Sequence, residues 1–304
     1  MGVFFCLRLF INKKVMILKK GSTGNDVKLL QEFLNLNADG IFGVNTEKHV
    51  KLWQSENNLV ADGIVGSKTW DSMMLASTDM SENINKIGII KHFLPNGEYK
   101  PGPTSKDYLF LHHTAGWHNP YNQIDQWGRD TRGTICTEFV IGGQSVKGNE
   151  NTYDGNILQA IPNGGYGWHL GKNGSQYMHT HSIGIEVCNF GQLTDGKTYA
   201  GTNVVEEQIV KLSKPFRGYS EWHKYSDEQI KSIEKLIKYL AERDNIQVRD
   251  GLISEIKNNG VEAFEFNEDA YYGRVKGMWT HTNTRKDKFD MFPQQELIDM
   301  LLSI

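Results

Sequence analysis

Residues 108–116 read Tyr-Leu-Phe-Leu-His-His-Thr-Ala-Gly, and this stretch decides the fold of most of the chain. A short apolar and aromatic run that stops at small residues reads as a strand. Three similar runs follow: TEFVIG (137–142), IGIEVC (183–188) and GMWTH (277–281). Helical periodicity appears between and after them. Ile230, Ile233, Ile237 and Leu240 line one face, and Ser226 with Gln229 forms a capping-box start. A last helix begins after Pro293, with Leu297, Met300 and Leu301 on one side. Strands mixed with helices predict an α/β domain: a mixed central sheet with flanking helices.

Alternation along these strands sorts their polar residues. Tyr108, Phe110 and His112 share one side of the first strand; Leu109, Leu111 and His113 share the other. If the leucine side meets the core, His112 is left at an open face. In Ser182–Cys188, Ile183, Ile185 and Val187 point one way, and Gly184, Glu186 and Cys188 the other. A carboxylate beside a glycine that leaves room suits a general base, and burial near a metal would tune it. The same Glu186 could instead be a structural partner of a Lys or Arg. The stretch 281–290, HTNTRKDKFD, sets His281 and Asp290 nine residues apart on an expected loop, where they can converge on zinc. Lys288 then stands beside the metal, where a developing oxyanion needs a cation. Taken alone, the stretch also reads as an ordinary charged loop.

The N-terminal part is a repeat. Residues 27–43 (VKLLQEFLNLNADGIFG) and 50–66 (VKLWQSENNLVADGIVG) match at eleven of seventeen positions with an offset of 23. Such self-similarity marks a duplicated supersecondary unit. Val27, Leu30 and Leu34, and then Val50 and Trp53, lie at helical spacing. Each helix runs into an Asp-Gly turn, Asp39-Gly40 or Asp62-Gly63, and new helices start near Thr46 and Thr69. Residues 76–83, ASTDMSEN, are polar and aperiodic and read as a linker.

Composition narrows the function. The 304 residues carry 33 Lys and Arg against 36 Asp and Glu, a net charge of −3. That excludes the broad basic surface of nonspecific nucleic-acid binders. No apolar run reaches the roughly 18–20 residues that span a bilayer. Cys6, Cys136 and Cys188 are too few and too far apart for a disulfide framework or a CxxC zinc cluster. Cys136 and Cys188 read as small buried hydrophobes. The opening MGVFFCLRLFINKK is only faintly like a targeting segment, and Met16 could be the true start. Of ten histidines, six lie between His112 and His181.

Two resemblances join these readings. LKKGSTGNDVKLLQEFLN followed by DGIFGVNTEKHVKLWQ resembles the small three-helix peptidoglycan-binding domain, an all-α wall anchor without chemistry of its own. The order LHHTAG, TEFVIGG, DGNILQAIPNGGYGWHLG, SIGIEV and a late His…Lys-x-Asp resembles the zinc-dependent N-acetylmuramoyl-L-alanine amidases of type 2, which share a fold with peptidoglycan recognition proteins. The second resemblance implies zinc on His112, His281 and Asp290, with Glu186 and Lys288 catalytic and His169 lining the site. Many relatives have Tyr at the position of Thr137, so a phenol cannot act here, and Thr137 is only a candidate lining residue. The role of Glu138 is open, and the long stretch 191–227 either packs an insertion or shapes a groove. Expected organisation is an extension (1–15), a peptidoglycan-binding domain (16–76), a linker (77–83) and a zinc amidase domain (84–304). The resemblance implies a monomeric, endolysin-like enzyme acting on the bacterial cell wall, with no nucleic-acid or membrane partner and with its export route open.

The competing metal site is His179-Thr-His181, workable on a strand but expected in a loop. His118 and His223 read as surface or aromatic-packed residues, and His49 and His92 receive no role. Two other functions stay open: a recognition protein that holds peptidoglycan without cutting it, and a zinc peptidase that cuts within the stem peptide.

Overall fold

The computed structural model describes residues 17–34, 36–171 and 174–304, and for residues 77–86 the backbone alone. The extension 1–15, with Cys6 and the targeting reading, lies outside the described residues. The chain forms two compact units that divide between Lys86 and Ile87.

Among the described residues of the first unit three helices, α1 (Asn25–Phe33), α2 (Val44–Glu56) and α3 (Ser67–Ile87), close on a core of Leu18, Val27, Leu30, Phe42, Val50, Val65 and Met73. Leu34 and Trp53, expected on the apolar faces, pack at the margin of that core. The repeat has a polar counterpart. Buried Gln31 donates from Nε2 to Asp39 (2.7 Å), to the Ile41 carbonyl (3.0 Å) and to Thr46 (3.1 Å), while Gly40 N donates to its Oε1 (2.8 Å). Gln54 repeats the set on Asp62 (2.9 Å), Ile64 (3.0 Å), Thr69 (3.2 Å) and Gly63 (2.8 Å). Each glutamine thus clasps the turn to the start of the next helix. Gly40 and Gly63 have φ of 76° and 77°, a conformation that favours glycine. The expected linker differs: residues 77–83 lie within α3. No Gly or Pro interrupts 67–87, so the helix runs on through the polar stretch.

The second unit has a six-stranded sheet. Its strands are β1 (Ile89–Lys91), β2 (Tyr108–His113), β3 (Phe139–Ile141), β4 (Ile157–Gln159), β5 (Ser182–Val187) and β8 (Gly277–Thr280), in the order β1-β4-β3-β5-β2-β8. All pairs are parallel except β3 with β4. A hairpin, β6 (Ile209–Phe216) and β7 (Tyr219–His223), fills much of the long 191–227 stretch. Its Phe216 and Trp222, with Tyr225, are buried, and Trp222 and Tyr225 stack on Phe292 at 4.6 Å each, so these aromatics pack. Helix α4 (Pro120–Trp127) packs on β3, and α5 (Gln176–Thr180) leads into β5. Helix α6 (Asp227–Asp244) has the capping box of Ser226 and Gln229 and buries Ile230, Ile233, Ile237 and Leu240. Helices α7 (Leu252–Asn259), α8 (His281–Thr284) and α9 (Gln295–Ser303) complete the unit, and α9 buries Leu297, Met300 and Leu301.

The open face expected at His112 does not exist. All six residues of β2 are buried, because an interior strand of a largely parallel sheet is covered on both sides. His113, on the far side, bonds the Tyr225 hydroxyl at 2.7 Å. The segment 277–281 also ends earlier as a strand than expected. Thr280 caps α8, and His281 is that helix's first residue rather than part of a loop.

Candidate active site

The sheet register builds the site. Glu186 pairs with His112 across β5 and β2, and Thr280 pairs with Leu111 across β8 and β2. His281 follows Thr280, so His281, His112 and Glu186 stand in one row at the carboxyl ends of three adjacent parallel strands. In open α/β sheets that edge is where ligands bind. Asp290 closes the row. Its Oδ2 lies 2.9 Å from His281 Nδ1 and 3.3 Å from His112 Nδ1. Among the described residues these three form the one group of His, Cys, Asp or Glu placed to hold a metal ion, with donor atoms within 4.8 Å of one another.

The chemistry of the donors fits a divalent cation. His112 is 2% exposed, and burial, with His281 next to it, pushes its pKa down to about 4 despite the opposing carboxylate of Asp290. His112 is therefore a neutral imidazole at neutral pH, the form that ligates metals. Burial disfavours the Asp290 charge, but His281 and His112 outweigh it and hold the carboxyl well below its usual range. An ionised carboxylate thus faces two imidazoles. His281 Nε2 is buried and has no hydrogen-bond partner among the described residues.

Glu186 is partly buried, and no described residue donates a hydrogen bond to its carboxylate. Burial, then the charge of Asp290, raises its pKa to about 8, against the pull of Lys288. A carboxylate so destabilised holds a proton readily near neutral pH. Lys288, two residues before Asp290, is also partly buried and acts electrostatically on both Glu186 and His112. The tip of the β6–β7 hairpin braces this loop: Arg217 donates to the carbonyls of Thr282 (3.2 Å) and Lys286 (2.5 Å).

The remaining candidates are placed differently. His169 is buried beside His112, with both ring nitrogens engaged, by His112 Nε2 (3.0 Å) and Ser182 Oγ (2.7 Å). Thr137 is buried, and its hydroxyl donates to the Phe139 carbonyl at 2.9 Å. Glu138 is a buried ion-pair partner of Arg243 at 2.9 Å. The competing pair lies in and just after α5, where Ser175 caps the helix through Met178 N. His179 Nε2 meets the Gly171 carbonyl at 3.0 Å, and His181 stacks on Tyr177 at 3.8 Å, so the two histidines serve separate surroundings. Cys136 and Cys188 sit in one hydrophobic cluster, and burial pushes both thiols up. Sequence reasoning missed Ser182. The signal was available, since Ser182, Gly184 and Glu186 fall on one face of β5.

Residues 102–283 match the family model described as N-acetylmuramoyl-L-alanine amidase, more than half of the chain. The chain belongs to the N-acetylmuramoyl-L-alanine amidase family. The match includes His112, Glu186 and His281 and stops before Lys288 and Asp290, which join the site by geometry. Residues 23–73 match a peptidoglycan-binding domain, so the amidase carries a second module directed at the same polymer. It is 21% identical over 214 residues to the N-acetylmuramoyl-L-alanine amidase CwlA of Bacillus subtilis (strain 168), covering 67% of this chain and 69% of that protein. Among solved structures it is similar to a Burkholderia AP3 phage endolysin, at 30% identity and a TM-score of 0.20. That likeness covers 25% of this chain and about a third (34%) of the endolysin. It is also similar to PlyL, at 13% identity and a TM-score of 0.37, covering 66% of this chain and 85% of that one. No helix among the described residues is long and apolar enough to cross a membrane.

Proposed function

We propose that this amidase hydrolyses the amide between the lactyl group of N-acetylmuramic acid and L-alanine of the stem peptide, with zinc held by His112, His281 and Asp290. The observation that carries the reading is the row His281–His112–Glu186, closed by Asp290 and faced by Lys288. Two imidazoles and one carboxylate suit a catalytic zinc site, which keeps a position open for substrate or water. Bound there, zinc would polarise the scissile carbonyl and acidify water.

The protein's own groups supply the rest. Glu186 takes a proton from the attacking water as its oxygen bonds to the carbonyl carbon. It passes that proton to the departing nitrogen when the C–N bond breaks. The products are a lactyl carboxylate on the glycan and a free amino group on L-alanine. Lys288 stabilises the negative charge that grows on the carbonyl oxygen. Residues 16–76 anchor the enzyme on the wall, and residues 84–304 are the catalytic domain; tethering raises the local concentration of scissile bonds. The enzyme works as a monomer, and neither nucleic acid nor membrane is a partner.

Mass spectrometry of purified sacculi after digestion tests the assignment. New amino termini should appear at L-alanine alone, with glycan strands left whole. New termini at other stem residues would make the protein a peptidase. Retention on sacculi without any cleavage would make it a recognition protein.

A further inference from the structure

The face of β5 that carries Glu186 has a gap. Ser182, Gly184 and Glu186 point to that side, and across the register stand Tyr108, Phe110 and His112. Gly184 contributes no side chain, and the space is filled from above. A Cβ at Gly184 would lie 2.7 Å from Thr137 Cγ2 and 3.2 Å from His169 Cγ. Thr137 and the His169 ring therefore share the space that Gly184 leaves. Placed there, His169 reaches Ser182 Oγ at 2.7 Å with Nε2 and His112 Nε2 at 3.0 Å with Nδ1. All three residues are buried.

We propose that His169 is a positioning residue for the metal centre: with Ser182 it forms an outer hydrogen-bond chain that turns the Nδ1 lone pair of His112 toward His281 and Asp290. The inference rests on the reading that His112 holds zinc. A neutral imidazole carries one proton. With Nδ1 given to the metal, that proton sits on Nε2 and donates to His169 Nδ1, whose own Nε2–H donates to Ser182 Oγ. Each donor then meets one acceptor, and one tautomer and one ring orientation follow. Outer partners of ligating histidines commonly contribute 10–100-fold in metal affinity. His281 has no such partner on Nε2 among the described residues, so the bracing falls on His112. Gly184 belongs to the device, since a side chain there would meet Thr137 (Cγ2 at 2.7 Å, Cβ at 3.0 Å) and crowd the His169 ring (Cγ at 3.2 Å).

Zinc affinity of the full chain, measured by competition with a chromophoric chelator, tests this without relying on activity. His169→Ala should bind zinc about 10–100-fold more weakly than wild type. His169→Asn, whose Oδ1 can replace the Nδ1 acceptor, should recover most of that loss. Gly184→Ala should weaken binding by crowding Thr137 and, with it, the His169 ring. Wild-type affinity in both His169→Ala and Gly184→Ala, with zinc lost in His281→Ala, would overturn the positioning role and leave the zinc site standing. Equal losses in His169→Ala and His169→Asn, with unchanged circular dichroism, would also overturn it. A wild-type chain that binds no zinc would overturn the zinc reading, and this inference with it.

Discussion

The two units bury polar groups in opposite ways. In the first, Gln31 and Gln54 spend their side-chain amides on closed sets of partners, repeated 23 residues apart. In the second, the polar row at the strand ends is left incomplete. Among the described residues none donates to the Glu186 carboxylate, and His281 Nδ1 meets only Asp290. Buried polar groups that are satisfied hold a fold together, whereas groups left open at a desolvated site are available for chemistry.

The largest effect should come from filling an open position with an inert group. Glu186→Gln should lose about a thousandfold in turnover on sacculi while keeping its zinc, because a positioned acid–base group contributes on that scale. Full turnover in this variant would remove Glu186 from the mechanism. Next comes Lys288→Met, expected to lower kcat about a hundredfold with little change in KM. A rise in KM alone would mean that Lys288 binds substrate instead. In the first unit the expected loss is in stability, not in chemistry. Gln31→Ala strands a turn N–H and several acceptors, at about 2–3 kcal/mol. Gln54→Ala should match it, as read from denaturant unfolding of the full chain, and hydrolysis of a soluble muropeptide should not change. Unequal losses would show that the repeat is not energetically symmetric.

Stability should also slope with pH. Burial raises the Glu186 pKa from 4.5 to about 8 in the metal-free protein, so the native state keeps a proton that the unfolded chain releases. The contribution of this group is thus most favourable below about pH 4.5 and declines as pH rises toward 8. Metal-free Glu186→Gln should therefore gain stability relative to wild type between those limits. A constant difference across the range would mean that Glu186 is no more desolvated than a surface carboxylate.

Much of the arrangement was legible in the sequence because it follows from short-range rules. Alternation put Gly184 and Glu186 on one side of a strand, and the capping box at Ser226 and the faces of α6 and α9 appear as read. What was hidden depends on the third dimension. That β2 lies inside the sheet, between β5 and β8, cannot be read from Tyr108–His113 alone; it follows from the strand order. The 77–83 stretch lacks an apolar period, yet the helix from Ser67 carries through it for want of a breaker. His169 sits in a glycine-rich segment without periodicity, so its contact with His112 becomes visible only once Gly184 is seen to leave a gap.

The account stands most directly on where the metal binds. Zinc content after dialysis, measured by emission spectrometry, should be one ion per chain in the wild type and in a His179→Ala, His181→Ala double variant. It should be lost in His281→Ala. Zinc retained at one per chain in His281→Ala, and lost in the double variant, would contradict the site and move the metal to the second histidine pair.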